Sequence, residues 1–260
     1  MKYGVDELAA DIYKGGYDCF SIGKSEMGRD ILAVKIGAGS VPLLVVGAHH
    51  AREAVSSWFI LRELERISLP QNITLYAVPM LNPDGVMIAN TADGTWKANA
   101  RGVDLNRNYP CLFFYKASAK RPCSEGFKGY YPLSEKETSA MAEFTKKIAP
   151  AAALSFHAKG EEIYFADENT PEVFTQSKRL AEELSLRSGY RLNEVSKNPE
   201  IYAAGYENWF RERFKKPCLL IELTPYNMSP YAYSFEEWEN MTAAASGIIG
   251  AFAELFNEKW

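Results

Sequence analysis

Three histidines occur in the 260 residues, and two of them stand where chemistry is usually done. His50 closes the apolar run VPLLVVGAHH and His157 closes AAALSFH, so each should sit just past the C-terminal end of a strand. In open α/β sheets that edge is where ligands bind. Glu53 follows His50 by three residues, where a loop turns into a helical pattern. Over a tight turn, an H-x-x-E step aims an imidazole and a carboxylate at one point, and a histidine on a neighbouring strand closes a third side. Catalytic zinc takes three protein ligands of nitrogen and oxygen type and leaves a fourth position for water. A lone H-x-x-E is so short that a surface ion pair is its ordinary explanation, and a lone histidine after a strand is ordinarily a satisfied core residue. The surroundings decide.

One of those surroundings is Glu222, set inside the apolar run CLLIEL. An unpaired charge there is costly, so the carboxylate needs a reason. A structural salt bridge is one reason, and a general base beside a metal is another.

The elements that would carry these groups follow from hydrophobic period. Short runs rich in β-branched and aliphatic residues predict strands at 31–36, 42–48, 73–78, 152–156, 162–165 and 218–223. Several are apolar throughout, as strands covered on both faces are. Helical patterns lie between them at 54–67, 171–188, 204–214 and 235–256, the first with Val55, Trp58, Phe59, Leu61 and Leu64 as its stripe. Ser134 followed by Glu137 predicts a capping box opening a further helix that runs to about 148. Strands alternating with helices predict an α/β fold with a mixed, mostly parallel twisted sheet covered by helices on both faces. Without repeats or linker-like stretches, residues 1–260 read as a single domain. Irregular stretches are expected at 82–128 and 193–205, and loops that long in a compact domain are commonly functional.

Composition narrows the partners. Hydrophobic residues at 47% and charged residues at 24% exclude a disordered chain. A net charge of -4 without any basic run argues against nucleic acid. No apolar stretch reaches the roughly 18 residues of a membrane span, so no membrane partner is expected. The opening segment MKYGVDELAADIYKGG is charged and amphipathic, which points to a cytoplasmic protein. The four cysteines form no C-x-x-C pair. Cys218 reads as a small buried hydrophobe, while Cys111 and Cys123 flank a loop and would pair only in an oxidising compartment.

Taken in order along the chain, several boxes resemble those of the zinc metallocarboxypeptidases. GAHHARE at 47–53 resembles that family's G-x-H-[SA]-R-E box, and IGKSEMGRDI at 22–31 its early strand region. NPDG at 82–85, GVDLNRN at 102–108, SFH at 155–157 and LLIEL at 219–223 resemble four further boxes. The resemblance implies one zinc ion per chain, held by His50, Glu53 and His157. It implies that Glu222 takes the proton of the attacking water and passes it to the leaving amine. Asn106 and Arg107 would grip a terminal carboxylate, a task suited to the rigid bidentate fork of arginine. Arg52 would add positive potential. The arginine that polarises the scissile carbonyl has no direct match, because TWKANARGVDLN departs from the animal digestive enzymes. Either Lys97 or Arg101 could supply that contact, and Arg101 is preferred as a permanent planar donor. Tyr202 loosely matches the tyrosine that closes over substrate, with a shorter spacing to Trp209.

The stretches WKANARGVDLNRN and HAKGEEIYF look closest to bacterial γ-D-glutamyl-meso-diaminopimelate endopeptidases and murein peptide amidases. That implies a small cell-wall peptide as substrate. Aligning YENW on the family's pocket places Glu207 where side-chain specificity is set, suiting the ammonium of diaminopimelate. The plain alternative is a solvent-facing glutamate on a helix. Rival functions are a carboxypeptidase releasing C-terminal basic residues, a zinc N-acyl amino acid deacylase, and a non-catalytic binding protein. NPDG and SFH argue against the second, and retention of Glu222 with all three ligands argues against the third.

Overall fold

A computed structural model describes residues 2–166, 170–193, 198–200, 202–226 and 234–257. The apolar runs form the middle of one eight-stranded sheet: β1 (Asp18–Lys24), β2 (Asp30–Ile36), β3 (Val41–Gly47), β4 (Ile73–Val78), β5 (Ala152–Lys159), β6 (Glu162–Tyr164), β7 (Arg191–Asn193) and β8 (Cys218–Thr224). The strand order is β1-β2-β4-β3-β5-β8-β6-β7. β4, β3, β5 and β8 run parallel to one another, while β1, β2 and β6 join antiparallel to their inner neighbours. The mixed sheet with a parallel centre is therefore present.

Helices α1 (Val5–Gly15), α2 (Ala54–Arg66), α3 (Pro83–Thr91), α4 (Lys136–Ile148), α5 (Phe174–Ser188), α6 (Tyr206–Phe214), α7 (Phe235–Thr242) and α8 (Ile248–Leu255) accompany it. The alternation of side chains along β3 shows why both faces are covered. Leu43 and Val45 pack into one core with Trp58 of α2, Leu184 of α5 and Ile249 of α8. Leu44 and Val46 pack into a second core with Met141 and Phe144 of α4 and Phe210 of α6.

Four local expectations need correction. The stretch 82–128 holds α3 and a 3-10 turn at Leu105–Arg107. Asn82 caps α3 by accepting from Gly85 N at 3.0 Å, and Pro83 fills the first helical position. The Ser134 capping box does not form: α4 begins one residue later, with Glu135 as its cap residue, and Ser134 Oγ donates to Glu135 instead. The helix expected at 235–256 is two helices, because Gly247 adopts a left-handed φ of 82° between them. The edge strands β1 and β7 and the helix α1 were not among the expected elements. Of the stretch 193–205, residues 194–197 and 201 lie outside the described residues. All four cysteines are free thiols, with Cys111 buried and Cys123 exposed. Among the described residues no helix is long and apolar enough to cross a membrane.

Candidate active site

The ends of the three central parallel strands β3, β5 and β8 bring the expected groups together. His157 lies on β5 directly beside Glu222 on β8, as partners in the parallel ladder. His50 lies three residues beyond β3, and Glu53 is the cap residue just before α2. The turn between them is tightly held. Ala48 takes a φ of 47°, a conformation that residues with a Cβ seldom adopt. Its amide donates to Ser56 Oγ at 2.8 Å, and that hydroxyl donates to Glu53 O at 2.7 Å. Asn82 ties the same turn to its neighbours by donating to the carbonyls of His49 and Ala98 at 3.2 and 3.1 Å.

The donor atoms of His50, Glu53 and His157 converge. Glu53 Oε1 is 2.9 Å from His50 Nδ1, Glu53 Oε2 is 3.0 Å from His157 Nδ1, and the two Nδ1 atoms are 3.2 Å apart. The second nitrogen of each ring is engaged. Asp104 Oδ1 faces His50 Nε2 at 3.1 Å, and a carboxylate can only accept, so it would hold the His50 proton on Nε2 and leave Nδ1 for a metal. His157 Nε2 lies 3.3 Å from Ser155 Oγ and 3.3 Å from Asn106 Nδ2. Two ring nitrogens and a carboxylate aimed at one point are the donor set that a positive centre would take. Donors about 2.0–2.1 Å from a tetrahedral zinc would stand about 3.3 Å apart, close to the separations seen. The residues fit a zinc ion.

The electrostatics agree with that fit. Burial works against the Glu53 carboxylate, but His50 and His157 outweigh it and hold the group well below its ordinary range. Burial would depress His157, but Glu207 and Glu53, joined by Glu222, push it up to about 10. A field that favours a proton that strongly favours a cation in its place. Burial raises Glu222, Glu53 adds to the rise, and His157 pulls against it. A carboxylate lifted in this way is a better proton acceptor. Its Oε2 accepts from the Lys159 amide at 2.6 Å, which fixes its direction. His49 is no part of the donor set: fully buried, it faces Tyr109 Oη at 3.3 Å, and burial lowers it to about 3.

A cavity of about 180 Å³ opens beside this cluster, and its lining includes Asn106, Arg107, Tyr202, Glu207, Arg211 and Glu222. Arg107 Nη1 donates to the Asn106 carbonyl at 2.6 Å. Asn106 accepts from Tyr206 N at 2.8 Å, so the first turn of α6 positions it. Glu207 is no solvent-facing helix residue, being only 4% exposed. Its Oε2 accepts from Asn106 at 3.3 Å, its Oε1 lies 3.7 Å from His157 Nε2, and Oε1 has no hydrogen-bond partner. Burial opposes its charge, but His157 outweighs burial and keeps the carboxyl below its ordinary value.

Arg101 departs from expectation. Its guanidinium reaches Glu135 at 3.6 Å and Glu26 at 3.9 Å, and its side chain is half exposed. Asn99 Oδ1 accepts from the amides of both Arg101 and Val103, each at 3.0 Å, and this turn directs the side chain outward. Lys97 takes the inner place: its Nζ is 3.2 Å from Asp104 Oδ2, on the carboxylate that holds His50. Arg52 reaches Thr95 O and Glu125 on the same side. Asp104 was the residue that sequence reasoning passed over. It stood in the GVDLNRN box two positions before Asn106, and the need of a ligating histidine for a carboxylate on its other nitrogen was the available signal.

A sequence profile for the zinc carboxypeptidases matches residues 6–229. The Gamma-D-glutamyl-L-diamino acid endopeptidase 1 of Lysinibacillus sphaericus is 31% identical over 241 residues, or 78% of this chain and 59% of that protein. The chain therefore spans less than two thirds of that relative. Bovine thrombin-activatable fibrinolysis inhibitor, solved with tick carboxypeptidase inhibitor, superposes with a TM-score of 0.85 at 19% identity, over 98% of this chain and 97% of the other. Murein-tripeptide amidase MpaA from Escherichia coli O157 gives a TM-score of 0.62 at 22% identity, over 88% and 91% of the two chains.

Proposed function

The chain belongs to the zinc carboxypeptidase family, and from that premise we propose that it hydrolyses small peptides with a free terminal carboxylate, above all the γ-D-glutamyl–meso-diaminopimelate bond of cell-wall peptides. The observation that carries the reading is the meeting of His50, Glu53 and His157 at one point, with Glu222 paired to His157 on the neighbouring strand. Zinc, when bound by those three side chains, supplies Lewis acidity toward the scissile carbonyl and makes water more acidic. Glu222 accepts a proton from the attacking water and donates it to the leaving amine nitrogen. Lys97, in place of Arg101, neutralises the oxygen that gains charge in the transition state. Arg107 and Asn106 hold the terminal carboxylate, and Tyr202 borders the cavity where the leaving residue sits.

Glu207 gives the substrate its side-chain chemistry. A buried carboxylate oxygen without a hydrogen-bond partner, lining the leaving-group cavity, suits an ammonium such as that of diaminopimelate. The same oxygen would suit C-terminal lysine or arginine, so a basic-residue carboxypeptidase is the second reading. Metal analysis followed by parallel hydrolysis of L-Ala-γ-D-Glu-diaminopimelate and hippuryl-arginine separates the two. Preference for the first peptide is the expected result, and preference for the second reverses the assignment. Glu222→Gln should retain zinc and lose turnover by about 10³-fold. Normal turnover in that variant defeats the mechanism.

A further inference from the structure

A second cavity, of about 300 Å³, opens on the Asp104 side of His50 and shares no lining residue with the first. Two cations are built into it. Lys97 is anchored through Nζ to buried Asp104, and its carbonyl accepts from Ala51 N at 3.0 Å. Arg52 follows His50 by two residues and donates to the Thr95 carbonyl at 3.3 Å. The side chains of Arg52 and Lys97 are only 21% and 19% exposed. Both meet one oxygen of a single carboxylate: Glu125 Oε1 is 3.2 Å from Arg52 Nη2 and 3.6 Å from Lys97 Nζ. Glu125 itself is 66% exposed, on a loop at the rim. The other acids of the cavity are committed, Asp104 to His50 and Asp93 to the amide and hydroxyl of Thr95. The cations are thus fixed and the anion between them is peripheral.

We propose that this cavity is a seat for a carboxylate on the acyl side of the scissile bond, occupied by Glu125 until substrate displaces it. The inference rests on the peptidase reading of the neighbouring centre and adds a requirement to it. A γ-linked glutamyl residue keeps its α-carboxylate free, a short carbon chain away from the carbonyl that is cleaved. An ordinary α-linked peptide offers an anion there only through an acidic side chain. An exposed ion pair such as Glu125–Arg52 contributes little and yields readily to a ligand. Arginine can then take the incoming carboxylate through two parallel hydrogen bonds.

The test compares L-Ala-γ-D-Glu-diaminopimelate with the same peptide carrying D-isoglutamine, whose α-carboxylate is an amide. The zinc-loaded protein should cleave the carboxylate form with a kcat/KM roughly tenfold or more above the amide, mostly through KM. Glu125→Gln should raise kcat/KM on the carboxylate peptide severalfold and widen the ratio. Arg52→Gln should bring the ratio toward one. A wild-type ratio near one, or equal loss on both peptides in Arg52→Gln, overturns the proposal. Calorimetric binding of L-alanyl-D-glutamate against L-alanyl-D-isoglutamine supplies a readout without turnover. If no peptide is cleaved, the peptidase reading fails, whereas the carboxylate seat stands on tighter binding of the first dipeptide and falls on equal binding.

Discussion

At the residue scale, the three candidate donors were legible because their types and positions are chemically demanding: a histidine past one strand end, a second that was expected past another but lies within the last residues of β5, and a glutamate three residues from the first. Their supports were less visible, since a carboxylate that fixes a ring shows no pattern of its own. Asp104→Asn keeps an acceptor for His50 Nε2 but removes its charge, so zinc affinity should fall about 10-fold or more, measured by competition with a chromogenic chelator. The choice between Lys97 and Arg101 was not legible either. Both are cations in one loop, and which one turns inward depends on the Asn99 side chain gripping two amides. Accordingly Lys97→Met should lower kcat by about 10²–10³-fold, while Arg101→Met should change it by less than about twofold in the same steady-state assay.

At the element scale, apolar runs announced the inner strands, because strands covered on both faces have no polar residues to confuse the pattern. The edge strands were missed for the converse reason: β1 is nowhere fully buried and β7 has three residues. Two of the sequence boxes turn out to brace each other. Arg29, in the first, donates to buried Asp84 of NPDG at 2.7 Å, and Met27 N donates to the other oxygen at 2.7 Å. Asp84→Ala leaves both donors without a partner and should cost about 2 kcal/mol in urea unfolding, at the low end of such changes because Arg29 is a third exposed. The start of α4 predicts a pH effect. Burial pushes Glu137 up to about 7, well above its unfolded value of 4.5. The folded state therefore holds a proton that the unfolded state has released across that window. The associated stability, about 3 kcal/mol at most, is present below pH 4.5 and lost as pH rises through 7. Glu137→Gln should flatten the slope of stability against pH between these values, as read by denaturation at pH 5 and pH 8.

At the scale of the whole molecule, sequence alternation was enough for an α/β sheet with two covered faces, and the ordered boxes were enough for the family. Neither disclosed the two separate cavities, whose walls come from segments far apart in the chain: 52, 93–98, 104 and 123–126 for one, and 106–107, 164, 202–211 and 220–222 for the other. The three candidate metal ligands likewise come from segments far apart in the chain, so an ion held by them would favour the folded chain alone. Chelation should lower Tm by on the order of 10 °C, with recovery on adding zinc, as followed by scanning calorimetry. His157→Ala should abolish that dependence.

The side-by-side placement of His157 and Glu222 on hydrogen-bonded strands has a historical consequence. The separation of the His157 ring from the Glu222 carboxylate is set by backbone pairing between β5 and β8 rather than by a loop. Insertions and replacements in the loops that frame the two hollows can therefore reshape what is admitted without moving those two side chains. A lineage built this way can change its diet while keeping its teeth.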